Sequence, residues 1–553
     1  MKTIKFTILI ALFSVIFCGC SKKSTTPPHL VAVPKNAALV IAFNNKQIVD
    51  KAGLNKFEQF KMFSLIQQEL ENEPADMRKL IKDFLKDTKV SGLNLDQVFM
   101  YSLFNKQTPV MGCVFLIDNV KKFEEFLYKT ELIVEQDTEQ KIVILPNGYT
   151  LKWNDKIAAF AINADEINIL NSDENESILA NQTFKNAYDN DKDLWAYFDY
   201  NGLISFIKTT DTNLTSEDLA AFEDLAAFEI YKDFSFVMSI NSEKGSLVAE
   251  VKILPEDKAN ELYGKYYKTD FDSELYKYFP DKSFLAYKIA LNKPLDIYNE
   301  YKKTLGIGVS VKPTGTTTEE VEILDEKGKV IDTETVDVDS YNYVQNYNNQ
   351  MKFIIEQYDA KITSVLSCFT GDMLASLSSL DNMMAPEVAL AAGIVEGKEN
   401  DVIALMNEVG FKQNGEGYYS LQEGTLPVHF AIKKNIIYFA LSKDAIAKFL
   451  DGGYSSNITS AKDFGSDLKN SNYYFYFNIN INDYPALIKT AINMSPETRP
   501  VMPLLEKLKY ISIKNVGATG GELRIKFTEN DYATRIILKQ IDDLVAQYLN
   551  ISK

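Results

Sequence analysis

Two histidines, His29 and His429, are all that this 553-residue chain offers for imidazole chemistry. A Ser-His-Asp triad needs a nucleophile and a carboxylate around one ring, and a zinc site needs three or four ligands. Neither is assembled from one folded histidine. His29 stands in a polar stretch near the start. His429 alternates with Val428, Phe430 and Ile432, which predicts a solvent-facing position on a strand. Asp189-Asn190-Asp191-Lys192-Asp193 opens like a calcium loop, but Leu194 and Tyr200 stand where such a loop needs its glycine and its bidentate glutamate, so it reads as an acidic turn. Gly517-Ala518-Thr519-Gly520-Gly521 has neither the lysine nor the following helix of a phosphate cradle, and reads as a hairpin turn. Carboxylates are plentiful, yet a glycosidase pair is defined by its separation in space. These residues identify no catalytic group, no metal ligand and no cofactor site.

The cysteines are more specific. Lys2 and Lys5 precede an apolar run from Ile8 to Phe17, which is shorter than the ~20 residues of a spanning helix. This is the pattern of an export signal over residues 1–19. Phe17-Cys18-Gly19-Cys20 looks like a lipobox, and Cys20, which follows a small residue, is the expected lipidation residue. Residues 20–29, polar and carrying Pro27 and Pro28, read as a flexible tether, with the folded part starting near Leu30. Cys113 and Cys368 lie in apolar runs and read as buried free thiols.

Composition narrows the class. Hydrophobic residues make up 46% and charged residues 24%, as in a packed globular protein, and the length calls for more than one core. The formal charge of −17 repels phosphate backbones and excludes nucleic acid as a partner.

The elements that would position any site occur twice. Val33-Pro34 leads into the apolar run Leu39 to Phe43, and Phe279-Pro280 leads into Phe284 to Ile289, with the prolines 246 residues apart. Val114 to Asp118 precedes a helix striped by Val120, Phe123 and Leu127. Ala391 to Glu396 precedes one striped by Val402, Leu405 and Val409. A strand pair around Asn154-Asp155 answers one around Lys434-Asn435. Phe160 matches Phe439 and Phe198 matches Phe477, both at 279 residues, and one shared offset argues for duplication. Leu247 to Ile253 and Glu522 to Phe527 each run into a closing helix. The larger late offset places an inserted hairpin around 309–339. The first copy instead has a helical region from Phe57 to Lys86, interrupted at Pro74. The aromatic runs at Trp195 and Tyr473 to Phe477, and the pair Tyr418-Tyr419, suit either sheet packing or a platform for sugar rings. Asp218 to Glu223 repeated as Asp224 to Glu229 reads as a local slippage.

The fold expected is α+β, with two tandem duplicated domains at 30–268 and 277–553, each a mainly antiparallel sheet with helices packed on one face. This ensemble resembles the Bacteroidota envelope lipoproteins grouped as domain of unknown function 4836. The resemblance covers nearly the whole mature chain and brings no catalytic residues with it. It implies an envelope lipoprotein, and the expected anchorage is in the outer membrane. Ser21-Lys22-Lys23-Ser24 lacks the acidic residues of surface-exported lipoproteins, which favours the periplasmic side. The expected function is non-enzymatic binding or scaffolding, with the membrane as one partner through the lipid and an envelope protein as the other. A glycan-binding lipoprotein is the alternative, and a carboxylate-dependent hydrolase of envelope polymers a further one.

Overall fold

A computed structural model describes residues 26–548, except for 105–108, 131–132, 134, 146–147, 163–169, 171–172, 201–233, 269, 305–317, 325–329, 338–342, 382–385, 415, 422–426, 496–497, 499–500 and 518. Cys20 and the repeated hexapeptide at 218–229 lie outside the described residues.

Apolar runs broken by tight turns build ten strands in the first half. They are β1 (Leu39–Phe43), β2 (Leu93–Phe104), β3 (Pro109–Ile117), β4 (Glu135–Asp137), β5 (Ile142–Leu145), β6 (Tyr149–Trp153), β7 (Ile157–Ile162), β8 (Leu194–Asp199), β9 (Ser235–Glu243) and β10 (Ser246–Leu254). Their pairing order is β4-β5-β6-β7-β3-β2-β1-β8-β9-β10, every pair antiparallel. The second half opens with β11 (Leu285–Ala290). A hairpin follows as β12 (Thr318–Leu324) and β13 (Val330–Asp337), which pair only with each other. The rest are β14 (Phe369–Ser379), β15 (Glu387–Ile394), β16 (Lys412–Gln413), β17 (Tyr419–Leu421), β18 (Val428–Lys433), β19 (Ile436–Ala440), β20 (Tyr473–Asn478), β21 (Leu508–Val516) and β22 (Gly520–Phe527).

The second half pairs in the order β16-β17-β18-β19-β15-β14-β11-β20-β21-β22, which is the order of the first half strand for strand. β10 then pairs antiparallel with β22, with Ala249 opposite Leu523, so one sheet of twenty strands runs through both halves. Its outermost strands β4 and β16 are short and carry only exposed polar residues, Glu135-Gln136-Asp137 and Lys412-Gln413, which blunts both edges against further strand addition.

Helices start where side chains can take up their free amides. Asn119 accepts from the Lys122 amide at 3.0 Å, and Ser442 accepts from the Asp444 amide at 3.2 Å. Gly92, at φ +73°, ends the turn before β2, and a Cβ there would sit 2.4 Å from the Asn119 carbonyl oxygen, so only glycine fits.

The helices do not keep to one face as expected. In β7, Ala158 joins one buried cluster with Phe123, Leu127 and Trp153, while Ala159 and Ala161 join another with Phe184, Trp195 and Tyr197. β19 does the same, with Ile437 on one side among Val402, Phe411 and Phe430, and Ile436 and Tyr438 on the other among Phe449, Ile458 and Tyr474. The cause is in the runs themselves: Ile157 to Ile162 and Ile436 to Ala440 are apolar at every position, so both faces must be buried.

The closing helix of the second half crosses to the first. Ala533–Tyr548, at the end of the second half, packs against Asn45–Ala52 and Lys61–Glu71 of the first, and Leu538 adds to the first-half core. The buried Asp542 carboxylate accepts from the amides of Lys61 at 2.9 Å and Met62 at 2.8 Å, and so caps a helix whose own N-cap residue, Phe60, offers no acceptor. Arg535 donates to the Asp50 carbonyl at 2.9 Å, satisfying the end of the other helix. Glu256–Gly264 of the first half packs on its own β10, and Lys265 and Tyr266 just after it both donate to Glu300, on the helix Pro294–Thr304 that follows β11.

Candidate functional site

Residues with chemical potential in the sequence prove to be structural. Pro28 and His29 belong to the folded body, in a short helix Pro28–Ala32, so the tether ends sooner than expected. His29 is fully buried against Phe99, its Nε2 3.1 Å from the Gln97 carbonyl oxygen, and burial lowers its pKa to about 4. His429 does point away from Val428, Phe430 and Ile432, but the face it points into is closed. It is buried beside Tyr418, with Nδ1 2.8 Å from Ser420 Oγ, and burial lowers its pKa. The solvent-facing expectation failed because that side of the sheet is covered too.

Asp193, at the end of the acidic turn, is buried. Its carboxylate accepts from Lys51 at 2.7 Å and from the Ser242 amide at 2.6 Å, partners that account for the buried charge. Gly517 to Gly521 is the β21–β22 turn, as read from the sequence. Cys113 and Cys368 are free. Cys368 is buried and Cys113 half-buried, with burial pushing the Cys113 thiol up to about 12, which leaves it inert. Trp195, Tyr474 and Tyr476 are buried, so the alternative of sugar-stacking platforms loses them. Among the described residues no group of His, Cys, Asp or Glu could hold a metal ion, and no helix is long and apolar enough to cross a membrane.

One buried group is unusual. Lys288 lies in the second-half core, 1% exposed. Its ammonium donates to Tyr276 Oη at 2.7 Å and to the carbonyls of Leu468 at 2.9 Å and Lys469 at 3.3 Å, and stands 4.5 Å from the Phe271 ring centre. Three acceptors match three donors. Burial lowers its pKa to about 8, opposed by the carboxylate of Asp372, which in turn pairs with Lys268 at 2.7 Å. The group is a clamp joining β11 to the end of the helix Gly465–Asn470.

The middle of the sheet presents a different kind of site. Register aligns Leu194, Ile240, Ala249, Leu523, Ile513, Phe475, Tyr287, Ala375, Leu390 and Phe439 side by side over ten strands. Strands stand ~4.8 Å apart, so this row is about 43 Å long. All ten side chains are apolar or aromatic and none is fully buried, but Phe439 at one end packs on Phe411 and Phe430 and belongs to a covered cluster, so the open part runs from Leu194 to Leu390. Leu523, and Met238 and Val251 in the adjoining row, are 37–39% exposed. On the reverse face the same strands carry ions in pairs. Arg524 holds Glu522 at 3.0 Å and Glu243 at 2.9 Å, Lys514 holds Asp467 at 3.0 Å, and Lys192 holds Glu250. The usual arrangement of an antiparallel sheet is thereby inverted at the midline: polar groups are packed, and the open face is apolar.

The family model described as Domain of unknown function (DUF4836) matches residues 31–311, which is half of the chain. The chain belongs to this family. That match spans the first half and runs into β11 and its helix. No curated protein matches this DUF4836 chain. Three crystal forms of TP0453, forms III, IV and I, are similar at 8%, 9% and 8% identity, with TM-scores of 0.23, 0.23 and 0.22. Each match covers 45% of this chain and 92%, 90% and 91% of the other. Likeness at that level carries no argument about what the DUF4836 protein does.

Proposed function

We propose that this protein is a non-catalytic binding or scaffolding lipoprotein of the cell envelope, anchored in the outer membrane by a lipid on Cys20 and facing the periplasm. It engages another envelope protein through the open face of its central strands. The observation that carries the reading is the apolar row from Leu194 to Leu390, partly exposed to solvent across the middle of the sheet. The two histidines and two folded cysteines are absorbed by packing, which supports a role other than catalysis. We further read the two halves as products of one duplication, supported by their identical strand order and by residue offsets held across separate strands.

The test has two arms. Labelling cells with radioactive palmitate and fractionating the envelope should place label and protein in the outer membrane, and Cys20→Ala should lose both. In-cell crosslinking and capture of a C-terminally tagged chain should return one reproducible envelope protein, absent with Cys20→Ala and with Leu523→Asp. A hydrolytic activity that survives purification and is lost on replacing one carboxylate would overturn the reading.

A further inference from the structure

The chemistry around the open face specifies what it binds. At the midline, Met238, Val251 and Leu523 form its most exposed part, on β9, β10 and β22. The helix Glu256–Gly264 follows β10 closely and packs against it, and it exposes Glu256, Asp257 and Glu261, with Lys258 its one cation. The chain as a whole carries −17. An apolar floor with an acidic border in an acidic molecule attracts a surface of opposite sign and repels a second copy of itself, which brings the same charge. An anionic lipid surface is repelled on the same grounds. The short charged end strands β4 and β16 disfavour strand addition to the twenty-stranded sheet, so the partner of this sheet meets its face rather than its rim.

We infer that the open sheet face of Met238, Val251 and Leu523 docks a basic amphipathic helix of an envelope protein, with apolar residues at i, i+3, i+4 and i+7 and lysines or arginines on its flanks. This rests on the reading of the face as the binding surface. The open part of the row, from Leu194 to Leu390 and about 38 Å long, accommodates a helix of 18 residues, which spans about 27 Å.

The full mature chain with Cys20→Ala is titrated against a fluorescein-labelled 18-residue Leu/Lys amphipathic peptide, and against its Leu/Glu counterpart with the same apolar face, by anisotropy. The expected result is binding of the Leu/Lys peptide at least about tenfold tighter than the Leu/Glu peptide, weakened about tenfold or more by Leu523→Asp with Val251→Asp. Met238→Asp on the neighbouring strand serves where the double variant melts early. Equal affinity for both peptides overturns the basic partner and leaves the face as the binding surface. Affinity untouched by any of these substitutions overturns both. Flotation on phosphatidylglycerol vesicles, or dimerisation, lost in the same variants, would assign the face to lipid or to a second copy and overturn the inference.

Discussion

The two halves thread ten strands in one order around different interiors. Ala42 in β1 lies between Phe99 and Trp195, and the corresponding Lys288 in β11 lies between Leu374 and Tyr474. Smaller neighbours in the second half leave room for a lysine side chain, and Tyr276 with two helix-end carbonyls satisfies its ammonium. Among the buried polar groups of the first half is His29, beside a carbonyl of β2. Strand order therefore depends on apolar alternation and turn positions, while individual interior positions accept polar groups once their hydrogen bonds are met.

The halves are also unequal in dependence on each other. Removing Ala533–Tyr548 should have the largest effect of any change considered: it uncovers Leu538's neighbours in the first-half core and leaves the amides of Lys61 and Met62 uncapped, at a cost above about 4 kcal/mol. Hydrogen exchange should show protection lost over Asn45–Lys86 of the first half, although the deletion lies in the second. Loss confined to the second half would break the crossing of this helix.

Exchanging the differing residues comes next. Ala42→Lys buries an ammonium without the acceptors of its counterpart and should cost about 3 kcal/mol or more in urea denaturation, whereas Lys288→Met should be near neutral or stabilising. The pH dependence sharpens this. Lys288 has a folded pKa of about 8, below that of an unfolded lysine, so the unfolded chain holds a proton that the folded one has lost. Its contribution makes stability rise with pH from about 8 toward 10.5, and Lys288→Met should flatten that rise. Equal behaviour of the two proteins over this window would remove the lysine from the account.

His29 tests the first half on the acid side. Its folded pKa of about 4 lies below the ordinary 6.5, so the unfolded chain takes up a proton that the folded one refuses. Its stabilising effect is present above 6.5 and is lost as pH falls through about 4, on the order of 3 kcal/mol in all. His29→Gln should remove that limb from a pH series of urea midpoints. A smaller effect is expected of Asp542→Ala, about 1–2 kcal/mol, with the opening of Lys61–Glu71 followed by hydrogen exchange.

Much of the framework was legible in the sequence. The opening runs at Leu39 and Leu285, the strand-helix units at Val114 and Ala391, the split at Pro74 and the hairpin of β12 and β13 all have local causes in alternation, caps and turn residues. The neighbouring strands β2, β9, β14 and β21 were not distinguished, because partners in a sheet are fixed by tertiary packing rather than by local pattern. The second covered face was missed for a related reason. Leu194 to Phe198 and Tyr473 to Phe477 are apolar at successive positions, and that continuity signals two apolar faces without telling which one is closed. The open row could therefore not be separated from core before register and exposure were known. The helix crossing, resting on contacts between residues nearly 500 positions apart such as Lys61 and Asp542, has no local signature.

The most direct test of the functional account is to place a photo-crosslinking residue at Leu523 in the full lipidated chain in cells, with the same residue at Asp137 on the edge strand β4 as comparison. The account predicts one discrete protein adduct at Leu523 and none at Asp137. Adducts at the edge and not at the face would contradict it.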